Sequence, residues 1–561
     1  MWHFDQDRRS NVNGGDIGVL PPNHETTCWS NGSLGQGMPI PVIDLFAGPG
    51  GLGEGFSAYR TTNGDRPFQV KLSIEKDPYA HTTLQLRSFV RQFDDGPPLE
   101  YYKAMADINK PLHQRLDTLF HHYPAQAEAA ASEAWRVELG KADRAKVRER
   151  IAAALGDAEH WVLLGGPPCQ AYSLAGRSRN KGEPDYNPEA DHRQFLYVEY
   201  LQVIAEHQPS VFVMENVKGL LSATLQNQRI FARILSDLSE PVRALHREGR
   251  TVRTGRPGRP SVRYTIVSLT ERSMDEEGLL QDFVVRMERY GIPQARHRLI
   301  LLGIRSDVLG SIPPGTLVPK APVPARDVLE GLPRLRSGLS RAADSAKDWL
   351  ACLAAVKSHR WFNALQNSVS AQMTRALDGL TAPRKDRGGE YISYTPSIRY
   401  NRKWYIDDRL EGVFNHATRN HIASDLHRYL YAACFGLAHR RSPVLADFPK
   451  PLLPDHQNVK AALRGGNFAD RFRVQLADRP ATTITSHIAK DGHYYIHYDP
   501  TQCRSLTVRE AARLQTFPDN YFFCGPRTAQ YVQVGNAVPP LLARQIADIV
   551  IQFLRDTGAV S

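Results

Sequence analysis

Cysteine is scarce in this sequence, and the six that occur form no C-x-x-C motif and no pairing with histidine at zinc-site spacing. We therefore expect neither a disulfide framework nor a metal site. The sequence also lacks an apolar signal-like segment near its start and any run approaching about 18 uninterrupted apolar residues. Secretion and a membrane partner are not expected, and a cytoplasmic location fits the low cysteine content.

The chain of 561 residues is 42% apolar, which is enough for about two to four domains with adequate cores. A net charge of +11 and a pI near 9.3 favour a polyanionic partner, because clustered Lys and Arg gain free energy by releasing counterions from phosphates. Charge alone does not establish such a partner, since many basic proteins bind no nucleic acid.

An apolar run, a glycine-rich loop and a second apolar run follow one another between Ile40 and Glu75. This order predicts the strand, helix and strand of a βαβ unit, and hence a Rossmann-like α/β domain over 40–305. Further buried strands are predicted at 160–166, 210–216, 263–269 and 298–304. In such a parallel sheet, ligands lie beyond the carboxyl ends of the strands, so the chemistry is expected there.

The remaining segments differ in composition. Residues 1–39 are rich in Gly, Asn, Asp and Ser and are predicted to be a flexible arm. From 306 to 490 the alternation of strand and helix is lost, which indicates a second, smaller domain. Residues 491–561 carry two amphipathic helix patterns and are predicted to return to the first domain.

Two insertions interrupt the first domain. The segment at about 112–157 is rich in Ala, Glu, Arg and Lys and is predicted to be surface helix. The segment at about 243–263 carries seven arginines and the run Gly-Arg-Pro-Gly-Arg-Pro, so no regular element is expected there. That run is reminiscent of a minor-groove-binding AT-hook, although a plain basic loop is favoured.

The glycine-rich loop begins at Asp44 with Asp-Leu-Phe-Ala-Gly-Pro-Gly-Gly. It differs from the dinucleotide pattern Gly-x-Gly-x-x-Gly in starting with Asp-Leu-Phe-Ala-Gly, and it is not the P-loop pattern, so the dinucleotide and nucleotide-triphosphate functions lose support. Glu75 ends the next strand, where it could accept hydrogen bonds from a ribose diol. A solvated strand-end acid is the alternative.

Cys169 is the most informative cysteine. It follows Gly-Gly-Pro-Pro at the end of an apolar strand, where a thiol can be exposed in the crevice and act as a thiolate nucleophile. Because cysteine is among the most buried residue types, inert core packing is the alternative for Cys169 considered alone.

Charged side chains are predicted beside it. Glu215 follows four apolar residues, so its carboxyl would be partly desolvated and suited to holding or donating a proton. Arg296 and Arg298 alternate on entry to the strand at 298–304, so they are expected to share a face and to contact phosphate or a base carbonyl. Pairing of Glu215 with one of these arginines is the alternative.

Six motifs in order make the sequence resemble the DNA (cytosine-5)-methyltransferase family: Asp-Leu-Phe-Ala-Gly-Pro-Gly-Gly, Pro-Cys-Gln, Glu-Asn-Val, Gln-x-Arg-x-Arg, Arg504-x-Leu-Thr-x-Arg509-Glu-x-x-Arg513 and Gly535-Asn-Ala-Val-Pro. The resemblance covers roughly 40–305 and 470–550. It implies a methyltransferase domain that uses S-adenosyl-L-methionine, with the region 306–490 as target-recognition domain.

The resemblance also implies roles for individual residues. Glu75 would bind the ribose and Asp107 the adenine amino group of the cofactor. The full cofactor set it implies is Phe46, Gly48, Gly50, Gly51, Glu75, Asp107, Ile108, Pro168, Leu196 and Asn536. One departure concerns Lys76, because the family commonly has an aromatic or apolar residue there that stacks on adenine.

The implied reaction starts with attack of the Cys169 thiolate on C6 of a flipped-out cytosine. Glu215 would hydrogen-bond N3 and Arg298 the base oxygen, while Ser173, Arg193 and Arg296 would hold phosphates. A bacterial restriction-modification context, with a cognate endonuclease, double-stranded DNA as partner and a monomeric chain, is expected by analogy.

Two alternatives remain at this point. An RNA (tRNA) cytosine-5 methyltransferase shares these motifs, but that branch usually has a compact recognition region, unlike the long one here. A catalytically silent DNA-binding homologue is disfavoured because Cys169, Glu215 and both arginines are present.

Overall fold

Eight strands form one mixed sheet in the computed structural model. The structure describes residues 38–168, 195–222, 224–225, 228–253, 262–270, 281–311, 313–365, 367–464 and 468–560. In chain order the strands are β1 (Ile40–Leu45), β2 (Phe68–Glu75), β3 (Ala134–Arg136), β4 (Val162–Gly165), β5 (Val211–Val217), β6 (Tyr264–Val267), β7 (Val284–Arg286) and β8 (His297–Arg305). They lie in the order β3-β2-β1-β4-β5-β8-β6, and β7 also pairs with β8.

The first five strands are parallel to one another, as the βαβ pattern predicts. All six residues of β1 are buried, because helices cover both faces of a parallel sheet. The four later strands expected from the sequence are present. Strand β8 runs antiparallel to β5 and β6, so the sheet as a whole is mixed. The start of β8 therefore lies at the carboxyl end of β5.

The helices flank this sheet and build the rest of the chain. In chain order they are α1 (Gly51–Ser57), α2 (Pro78–Arg91), α3 (Leu99–Ala106), α4 (Leu112–His122), α5 (Pro124–Glu133), α6 (Arg144–Leu155), α7 (Phe195–His207), α8 (Ile230–Ser239), α9 (Pro241–Arg247), α10 (Ala325–Leu329), α11 (Ala346–Ala354), α12 (Arg360–Asn363), α13 (Ser368–Asp378), α14 (Arg402–Tyr405), α15 (Ala423–His439), α16 (Gln457–Leu463), α17 (Val508–Leu514), α18 (Arg527–Asn536) and α19 (Pro540–Asp556).

The C-terminal helix α19 packs on α1 beside the sheet. A Cβ atom at Gly55 would lie 2.4 Å from the Cβ of Ala543, so only glycine permits this approach. In the described part of the chain, the stretch Arg527–Asp556 is long and apolar enough to cross a membrane, but 78% of its apolar window is buried inside the protein. A buried core helix satisfies the same test of length and composition, so the stretch is weak evidence for a membrane span.

The insertion at 112–157 is not surface helix alone. It contains α4, α5 and α6, but also β3, which forms the edge of the main sheet, and Ala130 and Ile151 are fully buried. The composition of the insertion favours helix, but residues 134–136 form a strand because they pair with β2. In the insertion at 243–263, helix α9 extends to Arg247, and the Gly-Arg-Pro run lies outside the described residues.

Residues 306–490 carry a core of their own, centred on α13 and α15 and including Trp349 and Phe472. A hairpin in this region pairs β9 (Gly388–Ser393) with β10 (Gly412–Ala417) in antiparallel register. The insertion at 112–157 contacts this hairpin through α4, where Arg115 donates a hydrogen bond to Glu390. The main structural unit spans 39–561, and the domain boundaries within it stay predictions.

Candidate active site

The glycine-rich loop and the end of β2 are joined by a hydrogen bond. The backbone N–H of Gly48 donates to Oε2 of Glu75 at 2.8 Å, while Oε1 accepts the N–H groups of Lys76 and Asp77 at 2.8 and 2.7 Å. Phe46 and Gly48 have positive φ angles of 56° and 58°, so the chain turns sharply directly after β1. A carboxylate is thereby fixed at the carboxyl ends of two adjacent strands.

The three glycines predicted to bind the cofactor differ in their surroundings. A Cβ at Gly48 would meet nothing within 4 Å, so this position borders open space. A Cβ at Gly50 would lie 2.9 Å from Leu84 Cδ1, and one at Gly51 would lie 2.3 Å from the carbonyl oxygen of Val538. Internal packing therefore explains the lack of side chains at Gly50 and Gly51.

Glu215 and Arg298 form an ion pair at the neighbouring strand ends, with Arg298 Nε 3.0 Å from Glu215 Oε1. The antiparallel register of β5 and β8 brings them together, and both side chains are largely buried. A Cβ at Gly166 would lie 3.2 Å from Glu215 Oε2, so the Gly-Gly-Pro-Pro segment passes beside this carboxylate. We call Glu75, Gly166, Glu215 and Arg298 the crevice edge.

The neighbouring Asn216 holds the same segment in place. Its side-chain Nδ2 donates to the carbonyl of Pro167 at 3.3 Å, and its Oδ1 accepts the N–H of Val217 at 2.8 Å. Pro168, predicted to border the cofactor, is half-buried at the end of this segment. Its chain neighbour Cys169 lies outside the described residues, as do Ser173 and Arg193.

Arg296 does not share the surroundings of Arg298, which corrects the expectation that both guanidinium groups face a ligand together. It is 1% exposed, and its Nη1 donates to the carbonyls of Ile484 and Gly535 at 2.7 and 3.2 Å. Burial and the nearby Arg298 charge lower the pKa of Arg296 to about 9. The Arg296 guanidinium group thus joins Ile484 to Gly535 in α18.

The other predicted cofactor residues occupy separate elements. Asp107 ends α3 and pairs with Lys110 at 3.2 Å, while the adjacent Ile108 is 56% exposed, which is unusual for a large apolar side chain. Leu196 is buried at the start of α7, and Asn536 is exposed at the end of α18. The contacts described for Asp107 do not join it to Glu75.

Asp44 was not singled out by the sequence reasoning. It is 1% exposed in β1, its Oδ2 accepts the N–H of Gly53 at 3.2 Å, and its Oδ1 is buried with no hydrogen-bond partner in the described structure. Desolvation by burial raises the pKa of Asp44 from 3.8 to about 7. An acid within an otherwise apolar strand was the signal that could have found it.

The arginines of the motif 504–513 are interior residues. Arg504 pairs with Glu510 at 2.6 Å and Arg513 with Asp519 at 2.6 Å, all at most 1% exposed. Arg509 donates to three backbone carbonyls, including that of Phe414 in β10 at 2.9 Å. We call Arg504, Arg509 and Arg513 with their two acids the arginine base, because Arg509 contacts the hairpin of β9 and β10.

Comparison with known proteins identifies the family. The model of the C-5 cytosine-specific DNA methylase family matches residues 124–241 and 280–552. The chain belongs to this family, and the predicted enzyme class is confirmed as DNA cytosine-5 methyltransferase.

Curated relatives are similar over most of their length. Type II methyltransferase M.Bpa9945I of Bacillus paralicheniformis is 30% identical over 529 residues, which covers 91% of this chain and 99% of the relative. Type II methyltransferase M.AgeI of Thalassovita gelatinovora is 26% identical, with 91% and 99% covered. DNA (cytosine-5-)-methyltransferase M.ApeKI of Aeropyrum pernix is 26% identical, with 70% and 81% covered. The RNA alternative is not favoured by these comparisons.

Proposed function

We propose that this protein transfers a methyl group from S-adenosyl-L-methionine to carbon 5 of a flipped-out cytosine in a specific duplex DNA sequence. The observation that carries the proposal is the crevice edge, where the Glu215–Arg298 pair lies beside the segment that leads into Cys169. Named type II relatives support a bacterial restriction-modification role, with a cognate endonuclease acting on the same site.

The residues at the carboxyl ends of β1 and β2 fit the cofactor. Open space at Gly48 leaves room for a ligand beside the backbone, and the Glu75 carboxylate is an acceptor suited to ribose hydroxyls. Asp107 supplies a second acceptor, for the adenine amino group, and Ile108 an exposed apolar surface. When bound, S-adenosylmethionine supplies an electrophilic methyl group on a positively charged sulfur.

The protein's task is to make C5 of cytosine nucleophilic. The Cys169 thiolate adds to C6, and the displaced electron pair moves into the ring toward N3. The carboxylic acid of Glu215 donates its proton toward N3 in a hydrogen bond and so offsets that charge, while Arg298 contacts the base oxygen. Once C5 carries the methyl group, loss of the C5 proton and expulsion of the thiolate restore aromaticity.

The target cytosine must leave the helix for this chemistry, at a cost of about a few kcal/mol. The basic character of the chain supports binding to the DNA backbone. The region 306–490 would choose the sequence, through contacts between its side chains and base edges. We expect the enzyme to act as a monomer in the cytoplasm, associated with the nucleoid.

The test combines labelled methyl transfer with a covalent trap. Purified protein should transfer labelled methyl groups to duplex DNA, and Cys169→Ser should abolish transfer. With 5-fluorocytosine at the target, wild-type protein should stay attached to DNA in denaturing gels, because fluorine cannot leave C5 as a cation. Transfer that persists in Cys169→Ser would contradict the mechanism. Bisulfite sequencing of DNA from a host expressing the protein would then identify the site.

A further inference from the structure

Lys76 stands at the position where the family commonly has an aromatic or apolar side chain. The turn that follows β3 lies beside Lys76, because Glu138 in this turn pairs with it. We propose that the turn 137–141, together with Lys76, forms the wall of the cofactor pocket on its adenosine side. The inference rests on the proposed function, because it concerns the cofactor assigned there.

Backbone pairing fixes where the turn starts. Strand β3 runs parallel to the end of β2, with Arg136 level with Glu75, and the N–H of Val137 donates to the carbonyl of Glu75 at 3.2 Å. The chain therefore leaves β3 beside the carboxylate assigned to the ribose. Lys76 begins at the same point, since its N–H donates to Oε1 of Glu75.

The turn itself is rigidly built. The N–H groups of Lys141 and Ala142 donate to the carbonyl of Glu138 at 3.1 and 3.0 Å, and Leu139 is 5% exposed in the core beneath. Gly140 has a φ of +88°, a conformation that favours glycine. These contacts define the backbone conformation of the turn.

The far side of the turn meets another residue assigned to the pocket. A Cβ atom at Gly140 would lie 3.2 Å from Cδ2 of Leu196 and 3.7 Å from Cγ of Glu199. The turn thus spans from the Glu75–Lys76 corner to the start of α7. Both ends of this span are positions that the family resemblance assigns to the cofactor.

Charge pairing orients the Lys76 side chain toward the turn. Its Nζ lies 3.2 Å from Oε1 of Glu138, whose Oε2 is 3.1 Å from Nζ of Lys141. Exposed ion pairs of this kind stabilise a fold little. Here the pair directs a flexible side chain, so that its four methylene groups offer an apolar surface while the ammonium group stays paired. A purine can pack on such a surface and gain attraction from the nearby cation.

Titration calorimetry on the full chain without DNA tests the wall. Lys76→Ala and Glu138→Gln should each weaken S-adenosylmethionine binding about three- to tenfold, and Lys76→Phe should retain it. Lys71→Ala is the matched control, because Lys71 is an exposed lysine on the same strand and should bind as the wild type does.

A second ligand locates the contact. 5′-Methylthioadenosine keeps the adenine and ribose but lacks the amino-acid part, so Lys76→Ala should weaken its binding by the same factor. Equal affinities of Lys76→Ala and wild type, or a loss of affinity confined to S-adenosylmethionine, would contradict the proposal that Lys76 and the turn 137–141 contact the adenosine. Failure of the wild type to bind either ligand would instead overturn the proposed function.

Discussion

The crevice edge and the arginine base both pair arginine with acid, but only one of them is open to a ligand. At the crevice edge, the side chains of Arg298 and Glu215 keep 14% and 13% of their surface exposed. In the arginine base, Arg513 and Asp519 keep 0% and 1%, and the remaining donors are used on backbone carbonyls. The same kind of charge pair is therefore partly accessible in one place and part of the interior in the other.

The largest expected effect is a loss of activity at the crevice edge. Glu215→Gln should lower methyl transfer about 10²- to 10⁴-fold, because the amide cannot hold the proton that the ring charge requires. Its melting temperature should stay close to that of the wild type. Glu288→Gln is the control, since Glu288 also lies beside the sheet and pairs with His297 at 2.8 Å. Full activity in Glu215→Gln would remove the distinction.

The arginine base should respond in stability instead. Arg513→Met should lower the free energy of unfolding by about 3–5 kcal/mol in urea titrations, because the buried Asp519 loses its partner at 2.6 Å and keeps only Arg509, at 4.0 Å. Adding Asp519→Asn should recover part of the loss. Arg298→Met should cost less stability and more activity, and an equal loss of stability in both variants would show that the two regions do not differ.

Asp44 should make stability depend on pH at the glycine loop. Its folded pKa of about 7 lies above the ordinary 3.8, so ionising it costs the folded state progressively more as pH rises from about 4 to 7. Asp44→Asn should therefore gain stability over the wild type between pH 5 and 8, by up to about 4 kcal/mol. A difference that is constant over this range would count against the raised pKa.

His497, in the segment that follows residue 490, should give the opposite dependence of stability on pH. Burial lowers the pKa of His497 from 6.5 to about 4, so its contribution to stability is complete above pH 6.5 and falls as pH drops toward 4. His497→Asn keeps an acceptor for the N–H of Asp499, which now bonds Nδ1 at 3.0 Å. Between pH 7 and pH 4.5 the free energy of unfolding, obtained from thermal melts, should fall less in His497→Asn than in the wild type, by up to about 3 kcal/mol. If stability depends on pH in the same way in His497→Asn and in the wild type, the lowered pKa of His497 is contradicted.

The smallest effect concerns the contact between the two halves. Arg115 is buried and donates to Glu390, which is 36% exposed, so the pair should contribute about 1 kcal/mol in a double-mutant cycle with Arg115→Gln and Glu390→Gln. Because the pair holds the recognition hairpin against α4, KM for DNA should rise while cofactor affinity stays constant. A matching loss of cofactor affinity would show that the contact acts through the catalytic half.

Much of the site could be predicted because its residues follow apolar strands directly. Glu75 ends β2 and Glu215 lies two residues before the end of β5, and parallel strands bring such ends to one edge. The different fates of Arg296 and Arg298 could not be predicted, because alternation along the chain says nothing about the carbonyls that pack against one of them.

The sequence by itself determined the order of strands, the glycine-rich loop and the family motifs, because these depend on local periodicity and on residue identity. Only the tertiary structure decided that β8 runs antiparallel, that the insertion adds β3 to the sheet, and that the motif arginines are buried. These outcomes depend on partners distant in the chain, since strand pairing and burial are properties of the folded whole. Glu215 therefore meets Arg298 through a register that no local pattern encodes.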